Sequence, residues 1–180
     1  MKKRLIISVS LITLLIAFIW LMSEKSTSHS EPQEALFSID YDLSLIPSYK
    51  INDKALFFFI KNTNNLGAVY VQKGILGWKA GMLTWSPMDV ERAYEKLNGY
   101  QIHGDNLIYG LIKQGNDRIV EIDGDRASML NLAMLPPSEV EKLRLEGLYI
   151  WYFESDKPLK GEEIKLFNKD TGEELDRLEL

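Results

Sequence analysis

KALFFFIK, residues 54–61, is the stretch whose reading decides the fold. Six apolar residues between two lysines are too few for a helix and suit a strand buried on both faces. Asn62-Thr-Asn-Asn65 follows as a turn, because asparagine tolerates left-handed backbone. Leu66–Lys73 (LGAVYVQK) is the second strand, Gly74-Ile-Leu-Gly77 the second turn, and Trp78–Trp85 (WKAGMLTW) the third strand. Loops this short between such strands predict a three-strand meander. Gly67, Gly74, Gly77 and Gly81 fit turns and close strand approach. They match neither G-x-x-x-x-G-K-S/T nor G-x-G-x-x-G, so no nucleotide phosphate cradle is read here.

C-terminal to the meander, Ser86-Pro-Met-Asp89 has the residue types of a helix start. Val90, Ala93, Tyr94 and Leu97 then share one helical face, and Asn98-Gly99 ends it. Strands are predicted over Asn106–Lys113, Arg118–Asp123, Ser128–Met134, Leu148–Glu154, Glu163–Asn168 and Glu174–Glu179. Gln114-Gly-Asn-Asp117 and Lys169-Asp-Thr-Gly172 read as hairpin turns. Ser138-Glu-Val-Glu141 reads as a capping box opening a short helix that Gly147 stops. N-terminal to the meander, Leu36, Ile39, Leu43 and Ile46 lie at helical spacing. Ser30 and Pro32 could start that helix and Pro47 closes it, although Ile39–Leu43 also alternates like a strand. Residues 33–180 are therefore expected to form one mainly β (α+β) domain, an antiparallel sheet or sandwich with two or three short helices. A subdivision near 98–105 would leave two units small enough to need a shared core.

Leu5–Met22 is a run of eighteen uncharged residues behind Lys2, Lys3 and Arg4. A helix of that length rises about 27 Å, just enough for a bilayer core. The basic residues 1–4 are expected to stay cytoplasmic, and Trp20 suits the far interface. The predicted product is one transmembrane helix over 5–22, a flexible linker over 23–32 (SEKSTSHSEP) and an extracytoplasmic domain. The rival is a cleaved signal peptide, with Ser26-Thr-Ser28 as the best small-residue site and secretion as the result.

Outside Lys2, Lys3 and Arg4 the chain holds 18 basic and 26 acidic residues, a balance of −8. That charge repels phosphate backbones and anionic headgroups, so no nucleic-acid partner is expected and a second electrostatic membrane contact is disfavoured. With no cysteine in the chain there is no disulfide framework, thiolate metal site or thiol catalysis.

His103, beside Gly104 and Asp105, is the one histidine in the folded part that could serve as a base, but no nucleophile elbow or metal-ligand spacing accompanies it. Asp123-Gly-Asp125-Arg126 lacks the alternating ligands and closing glutamate of a calcium loop. Glu162-Glu163 and Glu173-Glu174 read as solvated turns, and no carboxylate pair can be singled out for glycoside chemistry. No metal or cofactor is therefore expected. Aromatic residues crowd the meander (Phe57, Phe58, Phe59, Tyr70, Trp78, Trp85) and the strand at 148–154 (Tyr149, Trp151, Tyr152, Phe153). Strand neighbours point to opposite faces, so these rings need both faces covered, or else some form an exposed strip. Under the second reading Trp78, Lys79, Trp85 and Trp151 make a binding surface.

Val69-Tyr-Val-Gln-Lys-Gly74 followed by Gly77-Trp-Lys79, then Tyr109-Gly-Leu-Ile112, Tyr149-Ile-Trp-Tyr152 and Lys169-Asp-Thr-Gly-Glu173, resembles small membrane-tethered or secreted proteins of Gram-positive bacteria that share a G-W-K hairpin. The resemblance implies an exported β-rich domain and transfers no catalytic residue. The expected function is a membrane-anchored extracytoplasmic domain, non-enzymatic, that binds an envelope protein or glycan or serves a membrane complex. The alternative is a cell-wall-facing hydrolase using carboxylates. A ligand sensor is disfavoured by a cytoplasmic tail of four residues.

Overall fold

The computed structural model describes the backbone of residues 2–180 and the side chains of residues 10–180. Helix α1 is Lys2–Ser26 and α2 is Pro32–Phe37, with Pro32 in the first turn as its fixed φ favours. The meander forms, but the third strand expected over Trp78–Trp85 is broken in two and a further strand joins it at the other edge. β1 (Ser44–Ile51), β2 (Lys54–Lys61), β3 (Asn65–Gly74) and β4 (Gly77–Ala80) pair in that order, and β5 (Thr84–Pro87) continues the edge along β3. We refer to this as sheet A. The remaining strands are β6 (Gln101–His103), β7 (Leu107–Lys113), β8 (Arg118–Ile122), β9 (Asp125–Arg126), β10 (Ser128–Asn131), β11 (Leu148–Glu154), β12 (Glu163–Asn168) and β13 (Glu174–Glu179). Sheet B has the order β10-β11-β7-β6, and sheet C the order β13-β12-β8-β9. A 3₁₀ turn at Leu132–Met134 and helix α3 (Pro137–Leu143) close the end of sheet B.

The three sheets stack in layers. On β2, Leu56, Phe58 and Ile60 face a core shared with Leu107, Tyr109 and Leu111 of β7. The alternate residues Phe57 and Phe59 face a second core with Leu36 of α2 and Trp78. On β7 and β11, the other parity (Ile108, Ile112, Tyr149, Trp151) packs on Val120, Ile122, Ile164 and Leu166 of sheet C. Period-two alternation thus delivers apolar side chains to both faces of sheets A and B. The crowded aromatics take the packing reading, with a third sheet as well as a helix supplying the cover. The core between sheets A and B draws on residues from both sides of 98–105.

Two glycines are required by space. Gly67 pairs directly with Phe59, and Gly110 with Trp151. A Cβ at position 67 would lie 2.3 Å from Phe59 Cζ and 2.5 Å from the Thr84 carbonyl oxygen, and one at 110 would lie 2.9 Å from the Trp151 indole. Each ring lies over the bare backbone opposite it, the cross-strand contact in its most asymmetric form.

Several expectations are corrected. The helix over 36–46 is confined to α2, because Ile46 is drawn into β1 opposite Phe58. Residues 86–98 form no helix. Ser86 and Pro87 are taken up by pairing with Leu66 and Asn65, and Arg92 has φ 55°. The buried Arg92 guanidinium donates to Asn64 Oδ1 and the Asp89 carbonyl, both at 2.6 Å. Further along, Tyr94 O accepts from Lys113 N, and Leu97 N donates to Asp176 Oδ2. The segment is a strap across the sheet edges. Gln114–Asp117 is a turn but no hairpin, since β7 and β8 belong to different sheets. α3 starts at Pro137, without a side-chain cap from Ser138, and ends at left-handed Arg144.

The stretch 23–32 is structured where a flexible linker is expected. α1 runs through Ser26, His29 exchanges backbone hydrogen bonds with Trp78 (3.0 and 2.8 Å), and Glu24 pairs with Lys79 at 2.7 Å. The transmembrane helix expected over 5–22 falls within α1. Among the described residues no helix is long and apolar enough to cross a membrane, and residues 5–9 of that span lie outside the described side chains.

Replacing Gly67 with alanine is expected to destabilise the domain by about 1–3 kcal/mol, since neither the ring nor the carbonyl can retreat freely. Urea unfolding of the variant against the parent chain measures it, and an unchanged midpoint would contradict the ring-over-glycine contact.

Candidate functional site

The outer edge of sheet A is interrupted at 81–83. β4 pairs with the last part of β3 and β5 with the first part, while Gly81 N–H donates to the Tyr70 carbonyl between them (2.8 Å). The bulge turns Met82 out to solvent. Facing it is β6, the edge of sheet B, which carries His103. Between them lies a cleft of about 410 Å³, lined among others by Tyr70, Lys73, Lys79, Met82 and His103.

His103 is buried, and burial pulls its pKa below the usual imidazole value, so it is neutral at pH 7. Its Nδ1 lies 2.6 Å from Thr84 Oγ1. The imidazole and the hydroxyl share one hydrogen bond, and the tautomer decides which of them donates it. Tyr109 donates to Gln101 Oε1 at 2.8 Å. Tyr70 meets the imidazole edge-on at 5.5 Å between ring centres.

Behind Tyr70 stands a polar cluster that joins sheets A and B. Glu154, at the end of β11, accepts from Tyr70 (2.8 Å) and Lys54 (2.7 Å) through Oε1 and from Tyr49 through Oε2. Lys54 Nζ also sits 4.2 Å from the centre of the Tyr70 ring. Burial pushes the Glu154 carboxyl up, but the hydrogen bonds from Lys54, Tyr49 and Tyr70 hold it below the usual range. Burial, then the hydrogen bond to Glu154, push both phenols up, so they remain neutral donors. The cluster is a cross-sheet tie that fixes the back wall of the cleft.

The structure separates the residues singled out from the sequence. Trp78 and Trp151 are 2 % and 1 % exposed, so neither offers a ring to a partner. Trp78 fills the core under α2, and Trp151 fills the core between sheets B and C. This corrects the expected four-residue surface. Lys79 lines the cleft, and Trp85, 46 % exposed, stands on the opposite face of the edge strand with Lys61 Nζ 4.6 Å from its ring centre. Sequence reasoning misses Glu154 and its partners Tyr49 and Lys54, which lie 105 and 100 residues from it in the chain with no local pattern to join them. A second cleft of about 410 Å³ gathers Asp123, Asp125, Asp156 and Glu162. Among the described residues no group of His, Asp and Glu is arranged to hold a metal ion. No family model, curated protein or solved structure matches the chain.

Because the folded pKa of Glu154 lies below its unfolded value, the tie contributes fully above the ordinary carboxyl pKa of 4.5 and is lost as pH falls through the folded value. Glu154→Gln is expected to cost about 1 kcal/mol at neutral pH, the low end for charged hydrogen bonds because the group is partly exposed. The deficit should shrink in acid below pH 4.5. Urea midpoints of both chains at neutral and acid pH test this, and a pH-independent deficit would dismiss the ionic tie.

Proposed function

We propose that the protein is a membrane-tethered, extracytoplasmic binding domain, with α1 as its anchor and the cleft between the bulge and β6 as its docking site. One observation carries the reading. From Leu11 to Met22, α1 presents large apolar side chains around its whole circumference, each 45–69 % exposed. A helix that is apolar on all sides belongs in an apolar medium, and the folded domain leaves these residues uncovered. Lys2, Lys3 and Arg4 ahead of the run favour a cytoplasmic N-terminus, which directs the sheets outward.

The chemistry of the cleft supports binding over hydrolysis. Its polar side chains are the neutral His103, Gln72, Lys73, Lys79 and Tyr70, whose hydroxyl is already given to Glu154. The carboxylate behind its wall, Glu154, is ionised and engaged with three donors. Apolar wall and cationic rim suit an envelope component or a segment of a membrane complex presenting a negative group.

The full chain is expected to stay with membranes through an alkaline carbonate wash, and a variant lacking residues 2–22 to leave them. Release of the full chain would end the anchor reading. A photo-crosslinker at Met82 is expected to give a discrete adduct in native membranes, absent with the crosslinker at Met134. Identical patterns at the two positions would remove the cleft as the docking site.

A further inference from the structure

The end of sheet A that holds α1 carries apolar residues of its own. The β1–β2 and β3–β4 turns leave the sheet at this end, where Lys73 N–H donates to the Asp53 carbonyl at 2.7 Å. Ile51, Ile75 and Leu76 stand exposed at the two tips, Ile75 at 87 %. Glu24, in the last turn of α1, pairs with Lys79, and a Cβ on Gly74 would lie 3.9 Å from Glu24 Oε1. The β3–β4 tip is therefore set against the end of the helix.

Glu24 lies two residues beyond Met22, an axial rise of about 3 Å. The headgroup layer extends roughly 5–7 Å beyond each side of a bilayer's hydrocarbon core. A bilayer that accepted the apolar run to Met22 would bring its headgroups level with Gly74–Gly77. Lys25, Lys73 and Lys79 outnumber Glu24 and Asp53 at this end, so the local charge opposes that of the domain as a whole. Aliphatic tips ringed by lysines match what an anionic interface attracts.

We infer that the β3–β4 tip, through Ile75 and Leu76, seats in the headgroup layer of the bilayer that holds α1. The inference rests on the membrane reading of α1 and adds a second, interfacial contact. Two contacts on one rigid end fix the tilt of the domain. The cleft, which shares Lys73, Gly74 and Lys79 with this end, then opens at the membrane surface.

The chain has no cysteine, so a single introduced thiol can be labelled uniquely. The full-length variants I75C, L15C and M134C would carry an environment-sensitive dye in vesicles of mixed phosphatidylcholine and phosphatidylglycerol. Met134 is exposed beyond the opposite end of β11 and reports on water. Lipids with a quencher at headgroup depth are expected to quench I75C severalfold more than M134C, and lipids with a quencher deep in the acyl chains to quench L15C. Strong quenching at L15C with I75C matching M134C overturns the hairpin contact and leaves the anchor. Absence of quenching at L15C overturns the anchor, and the hairpin contact with it.

Discussion

Sheet B is covered on both faces. Sheet A lies against one side of it and sheet C against the other, so every residue of β7 from Leu107 to Ile112 is buried. A strand in that position has no polar face to spare. Its hydrogen-bonding capacity is spent in the sheet and its side chains go to one core or the other. The polar groups that remain must gather where the layers end, because an unpaired polar atom between layers would be costly. Glu154 with its three donors, and His103 with Thr84, lie at such ends. The cleft is formed by edges that the stacking leaves partly open.

The same layering explains what could be read from the residues. KALFFFIK, LYIWYFE and EIKLFN announce strands through short apolar runs and alternation, and these strands stand where they were expected. Stretches whose form depends on remote partners carry no such local signal. The Ser86–Asp89 pattern is a valid helix start in isolation, but β3 needed an edge partner and Arg92 could satisfy several acceptors at once. A ladder and a buried guanidinium outweigh one capping interaction. β1 was obscured because Ile46 fits a helical stripe and a strand face equally well.

The candidate site was less legible than the fold. Trp78 and Trp151 were conspicuous by type, yet conspicuous rings in a layered protein are core material. Glu154 is one acid among many in the sequence. It acquires its role through Tyr49, Lys54 and Tyr70, which reach it across the space between two sheets. His103 was visible as a residue, but its neutral state follows from burial, which only the packing reveals.

The glycine-and-ring pairs have a consequence for how this protein can diverge. Phe59 with Gly67, and Trp151 with Gly110, each divide one fixed volume between two facing positions. Mutational drift at one member is constrained by the other, so the two should substitute in concert. A homologue bearing a side chain at position 110 should hold something smaller than tryptophan at 151, with the total volume preserved. An alignment in which these positions vary independently would show that the strands had moved apart instead. Such pairs are compensated neighbours, and they would leave a correlated trace in evolution even where each column taken singly looked variable.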